Sequence, residues 1–163
     1  MSIRDLVCEV LALVDAELES QRVSLQVELH QELPQVMGDR VQLQQVLLNL
    51  IMQVLLNLIM NAVEAMSLVE NRERSLRLKF EFHGARDVLI MVEDTGPGID
   101  SKDMDCIFDA FFTTKSHGMG LGLSICQSIV ESLGGRLWAS TRIPHGTVFY
   151  VQLPSGVSVA NED

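Results

Sequence analysis

Three short stretches of this 163-residue chain carry residues whose types and spacing could do chemistry. The first is DTGPGI, Asp94 to Ile99, which follows directly on the apolar run VLIMV, residues 88 to 92. Glycine at 96 and 98 permits a tight turn and a close approach of backbone to a ligand, while Asp94 offers an acceptor at a pocket floor. An ordinary turn accounts for Gly-Pro-Gly equally well. The second is GMGLGLSI, Gly118 to Ile125, a glycine-rich stretch opening a helix, where free backbone N–H groups suit phosphate oxygens. It lacks the strand that a dinucleotide fingerprint needs just before it, and no Gly-Lys-Ser/Thr follows as in a P-loop. The third is NLIMNAVEAM, residues 57 to 66. Asn57 and Asn61 are four apart and Glu64 is three further, so on a helix these polar groups share one face. Amide oxygens there can ligate a hard cation such as Mg²⁺, which arrives with phosphates and keeps several waters. A solvated polar stripe is the alternative.

These stretches need elements to position them. Ile3, Leu6, Val7, Val10, Leu11, Val14 and Leu18 recur at helical spacing after a start at Ser2. Val23, Leu25, Val27 and Leu29 alternate with polar residues as in a half-buried strand. After a loop with Pro34 and Gly38, Asp39 caps a long helix to about Met66. Strands are expected at 76–82 and 88–92, joined at Gly84, and at 136–141 and 147–153. Asp94 to about Gly118 reads as one long loop with a short apolar island, IFDAFF. Leu121 to Leu133 forms another helical stripe, closed by Gly134 and Gly135. Helices and strands do not alternate one for one, so the expected class is α+β, a two-layer sandwich with helices on one face of a mixed, mostly antiparallel sheet.

Length and composition set the bounds. The chain suits one domain, and 47% hydrophobic with 21% charged residues is ordinary for a globular protein. A net charge of −10 opposes attraction to nucleic acid or anionic membrane, so neither is an expected partner. Cys8, Cys106 and Cys126 form no CxxC pair, which fits a reducing cytoplasm. The N-terminus has no signal-peptide pattern. The apolar stretch Val46 to Val63 is broken by Asn49, Gln53, Asn57 and Asn61 and makes a poor membrane span.

The ordered set NLIMNAVEAM, DTGPGI, IFDAFFTTK and GMGLGLSI resembles the N box, first glycine box, F box and second glycine box of bacterial sensor histidine kinases. These boxes mark their ATP-binding catalytic domain, which shares a Bergerat-type fold with gyrase, Hsp90 and MutL. The resemblance is nearest to the oxygen- and nitrogen-sensing subset. It implies a catalytic domain over residues 1–156, with 157–163 a disordered tail. By resemblance, Asn61 would ligate Mg²⁺ bridging the ATP phosphates, assisted by Asn57, and Asp94 would accept from the adenine amino group. Gly96, Gly98, Ile99 and Thr147 would line the base pocket, and Gly118, Gly120, Leu121 and Gly122 would meet the phosphates. The lid would run from about Asp100 to Gly118, anchored by Phe111 and Phe112, with Thr113, Thr114 and Lys115 at the nucleotide end. Many family members carry Lys three residues after the metal-binding Asn, where this chain, like a subset of oxygen- and nitrogen-sensing kinases, has Glu64. A carboxylate cannot neutralise phosphate, so Lys115 becomes the leading cationic group.

The implied reaction is transfer of the γ-phosphoryl to a histidine on a dimerisation domain, with a response regulator downstream. His30, His83, His117 and His145 lie in strand, turn or loop contexts, so none is the expected phosphoacceptor. A full-length kinase could be membrane-anchored.

One feature fits no box. QVLLNLIM occurs twice in succession, at 45–52 and 53–60, and only the second copy precedes NAVEAM. In the first copy Gln53 stands where Asn61 follows the second. Eight residues advance a helix by about 12 Å and leave about 80° of rotation, so the insertion cannot be silent. Three outcomes are open: a lengthened helix whose upstream part is turned off the core, a first copy looped out near 38–48, or surplus apolar surface buried by self-association. Absorption at the helix's N-terminal end is the expectation. A non-catalytic interaction module with a distorted pocket is the second functional reading, and a gyrase- or MutL-like fragment, disfavoured by short length and FFTTK, the third.

Overall fold

A computed structural model describes residues 3–29, 41–83, 87–109 and 122–154. In chain order the elements are α1 (Ile3–Ser20), β1 (Val23–Leu29), α2 (Val41–Met66), β2 (Arg74–His83), β3 (Asp87–Asp94), α3 (Gly122–Ser132), β4 (Arg136–Thr141) and β5 (Thr147–Pro154). The strands form one sheet in the order β1-β2-β3-β5-β4. β1 and β2 run parallel, and the other three pairings are antiparallel. Both expected hairpins are present.

Strand alternation sorts the sheet's two faces. Leu76, Leu78 and Phe80 of β2, Val88, Ile90 and Val92 of β3, and Phe149, Val151 and Leu153 of β5 are buried in a single cluster with residues of all three helices. On the other face Arg77, Lys79 and Glu81 remain partly exposed, and Trp138 stacks on Tyr150 with Arg136 over its ring. Leu6, Val7, Val10, Val14 and Leu18 give α1 its buried stripe, and α2 contributes Leu55, Leu58, Ile59, Val63 and Met66. β1 departs from its pattern: Leu25 is 38% exposed. It lies on a sheet edge, where a strand has one hydrogen-bonded neighbour.

α2 is one unbroken helix through both copies of the octapeptide. A first copy looped out near 38–48 is therefore ruled out from Val41 onward. No Gly or Pro occurs in Val41–Met66, so nothing local breaks the helix, and an eight-residue insertion adds close to two turns. Asn49–Met66 is long and apolar enough to cross a membrane, with mean hydropathy 1.4. Its Leu55, Leu58, Ile59 and Met66, however, are among the largest fully buried side chains of the sheet-facing core.

The expected long loop after β3 is more ordered than its composition implies. The N–H groups of Asp103, Cys106 and Asp109 donate to the carbonyls of Asp100, Asp103 and Cys106, winding residues 100–109 into successive turns. Ile107 is buried there, and Phe108 meets Phe149 edge to face at 6.2 Å. The apolar island thus seats this segment on β5.

Candidate functional site

Asp94 is the last residue of β3, the central strand, and is only 3% exposed. Its Oδ1 accepts the Gly96 N–H at 2.8 Å, and the Thr147 backbone N–H gives a further hydrogen bond. Burial pushes the carboxyl up to about 6, against these two N–H groups and the Arg142 charge, which pull it down. A carboxylate held nearly out of water at that cost marks a place where a ligand's donor can be met.

The turn around it is built by close approach. Gly98 has φ +87°, and a Cβ on it would stand 3.3 Å from the Gly146 carbonyl oxygen. Gly146 has φ +113°, and a Cβ there would overlap the Asp94 carbonyl oxygen. The loop between β4 and β5 therefore lies directly against the glycine turn. Thr147, 4% exposed, follows Gly146 and pairs with Asp94 across the sheet. Ile99 packs partly buried against the core.

The long helix reaches the same turn. A Cβ on Gly96 would be 3.3 Å from the Ala65 side chain, so the last turn of α2 abuts it. Ala65, Asn61 and Asn57 are spaced by four and share a face. At the other end of this stripe Asn57 Nδ2 donates to Cys126 Sγ of α3 at 3.5 Å. Asn61, half-buried, sits between a contact with α3 and a contact with the glycine turn. Cys126 is one turn beyond Gly122, the first residue of α3. Among the described residues, a Cβ on Gly122 would meet nothing within 4 Å.

The structure thus gathers Asn57, Asn61, Asp94, Gly96, Gly98, Ile99, Thr147 and Gly122. Glu64 is exposed, with its carbonyl accepting the Ser67 hydroxyl. Thr114, Lys115, Gly118, Gly120 and Leu121 lie outside the described residues, as do Phe111, Phe112, Thr113 and the tail 157–163. Among the described residues no group of three or more His, Cys, Asp and Glu could hold a metal ion. A metal here would rest on amide oxygen and on phosphates it arrives with, which suits Mg²⁺. The reading of a distorted, non-catalytic module finds no support.

Three residues of this architecture escaped sequence reasoning. Gly146 precedes Thr147 in HGT, which was the only available cue. Arg72 donates to the carbonyls of Thr95 and Gly96. Arg142 Nε donates to Glu93 Oε2 at 2.5 Å.

The profile of the family described as histidine kinase-, DNA gyrase B-, and HSP90-like ATPase matches residues 48–157. The sensor histidine kinase TmoS of Ectopseudomonas mendocina is 39% identical over 155 residues, 94% of this chain and 15% of that protein. The sensor protein FixL of Bradyrhizobium diazoefficiens is 40% identical over 156 residues, 94% of this chain and 28% of its own length. The chain thus spans under a third of these relatives. The solved catalytic domain of histidine kinase ThkA superposes with a TM-score of 0.77 at 31% identity, covering 95% of both chains. A longer ThkA structure, 41% of which is covered, was solved in complex with the response regulator TrrA (TM-score 0.73, 30% identity).

Proposed function

This chain belongs to the histidine kinase-, DNA gyrase B-, and HSP90-like ATPases, as a catalytic domain of the sensor histidine kinase type, and from that premise we propose how it works. Residues 1–156 form the domain that seats Mg-ATP and presents its γ-phosphoryl to a histidine on a dimerisation segment. That histidine in turn serves a response regulator, the kind of partner with which ThkA was solved. A cytoplasmic setting belongs to the same proposal.

The carrying observation is the α2 stripe. Asn57 touches α3, Ala65 touches the glycine turn and Asn61 lies between them. The Asp94 carboxylate accepts from the adenine amino group, with Gly96, Gly98, Ile99 and Thr147 closing the base pocket. The helix start at Gly122, with Gly118, Gly120 and Leu121 before it, faces phosphate oxygens through backbone N–H groups. Asn61 supplies amide oxygen to the cation, assisted by Asn57, while Glu64 stays at the rim. Thr114 and Lys115 supply donors from the lid, Lys115 bringing the positive charge that Glu64 does not. Mg²⁺, when bound, neutralises phosphate charge. The protein's part is positioning and charge stabilisation, the main levers in phosphoryl transfer.

Calorimetric titration with Mg-ATP tests this. The unaltered chain should bind, and Asp94→Asn should lower affinity at least about a hundredfold by removing the adenine acceptor's charge and geometry. A folded protein giving no heat with Mg-ATP would refute the assignment.

A further inference from the structure

The glycine turn is held from behind by groups that face away from the pocket. Along β3 successive side chains alternate, so Asp94 points into the core and Glu93 to the opposite face of the sheet. On that opposite face Arg142 Nε grips Glu93 Oε2, Arg142 Nη1 donates to the His145 carbonyl at 3.1 Å, and the Arg142 N–H donates to the Gly146 carbonyl at 2.9 Å. One side chain thus ties the residue before Asp94 to the loop packed against it. Arg72, in the connection from α2 to β2, donates through Nη2 to the carbonyls of Thr95 at 3.2 Å and Gly96 at 3.0 Å. Guanidinium groups reaching from distant parts of the chain therefore hold the Glu93 side chain before Asp94 and the Thr95 and Gly96 carbonyls after it.

We propose that Arg72 and the Arg142–Glu93 pair are positioning residues that fix the Asp94 carboxylate and so set how strongly the pocket prefers a purine bearing a 6-amino group. The proposal rests on the nucleotide reading above. Directional hydrogen bonding loses strength steeply with misalignment, so a turn free to shift weakens this one contact more than it weakens the phosphate contacts at the far end. Arg74 provides the contrast. Its guanidinium bonds the carbonyls of Val69, Gln21 and Ser67, stitching the ends of α1 and α2 without touching the glycine turn.

The test compares Mg²⁺-dependent affinity for ATP and for purine riboside triphosphate, which lacks the 6-amino group. It uses the unaltered chain, Arg72→Met, Arg72→Lys, Glu93→Gln and Arg74→Met, with folding checked by circular dichroism. The unaltered chain should prefer ATP by about tenfold or more. Arg72→Met and Glu93→Gln should each shrink that preference at least about threefold, chiefly through lost ATP affinity, and Arg72→Lys should restore part of it. Arg74→Met should lower thermal stability and leave the preference unchanged. If the folded variants keep the original preference, or lose affinity for both nucleotides equally, the brace is only structural and the proposal is wrong. Should Arg72→Met not fold, Glu93→Gln decides alone, an unchanged preference overturning the proposal. An unaltered chain that binds neither nucleotide overturns both this inference and the reading beneath it.

Discussion

Residues 45–52 and 53–60 spell the same octapeptide and lie in the same helix, yet the fold uses them differently. In the second copy Leu58 and Ile59 are fully buried, and Asn57 bonds Cys126 of α3. In the first copy Asn49 is exposed, Leu50 is half-buried and Ile51 reaches the edge of the core at 9% exposure. Each repeat turns the helix by about 80° beyond whole turns, so identical side chains cannot meet the same neighbours. The difference teaches that a box of this family is defined by what stands opposite it. Local spelling makes both copies helical; the sheet, α3 and the glycine turn single out one of them.

Stability should show the contrast most strongly. Leu58→Ala removes a side chain with no exposure and should cost about 3 kcal/mol, while Leu50→Ala should cost about 1 kcal/mol. Urea unfolding that gave equal costs would break the comparison.

Acid sensitivity should be next. Asp94 titrates near 6 in the fold against an ordinary 3.8. Between those values the folded chain holds a proton the unfolded chain has lost, so this group's contribution to stability falls as pH rises from about 4 to 6 and is flat above. Nucleotide binding runs the other way, because the adenine amino group needs the ionised carboxylate. ATP affinity should drop by up to about tenfold per unit below pH 6. Asn49→Ala and Gln53→Ala, in or beside the first copy, should leave that profile unmoved, and titrations at pH 5, 6 and 7 would reveal any displacement.

The smallest effect concerns the paired amides. Asn57→Ala should cost about 1 kcal/mol through its lost bond to Cys126, and Asn49→Ala less than about 0.5 kcal/mol. Thermal unfolding of the two variants side by side checks the order.

Much of this was legible in the chain. Period-two alternation marked β1 and β2, a continuous apolar run marked β3, helical spacing marked α1 and α3, and the N box and first glycine box each carry their residues within ten positions, short enough to read locally. What escaped detection depended on partners far along the chain. Arg72 meets Thr95 and Gly96 from 23 and 24 positions away, and Arg142 meets Glu93 from 49. No local pattern records such contacts. Gly146 carries no local signal of its role, which is that the Asp94 carbonyl stands where its side chain would be. Leu25 alternates correctly yet stays exposed, since alternation shows which face a residue takes and not whether that face is covered.

The central claim is that the amide following the second copy, and not its counterpart after the first, meets the metal-bound triphosphate. Titrating Mg-ATP into Asn61→Ala and Gln53→Ala measures this directly. Asn61→Ala should lose at least about tenfold in affinity together with its dependence on Mg²⁺, and Gln53→Ala should bind as the unaltered chain does. Equal losses in the two variants, or full Mg-dependent binding by Asn61→Ala, would contradict it.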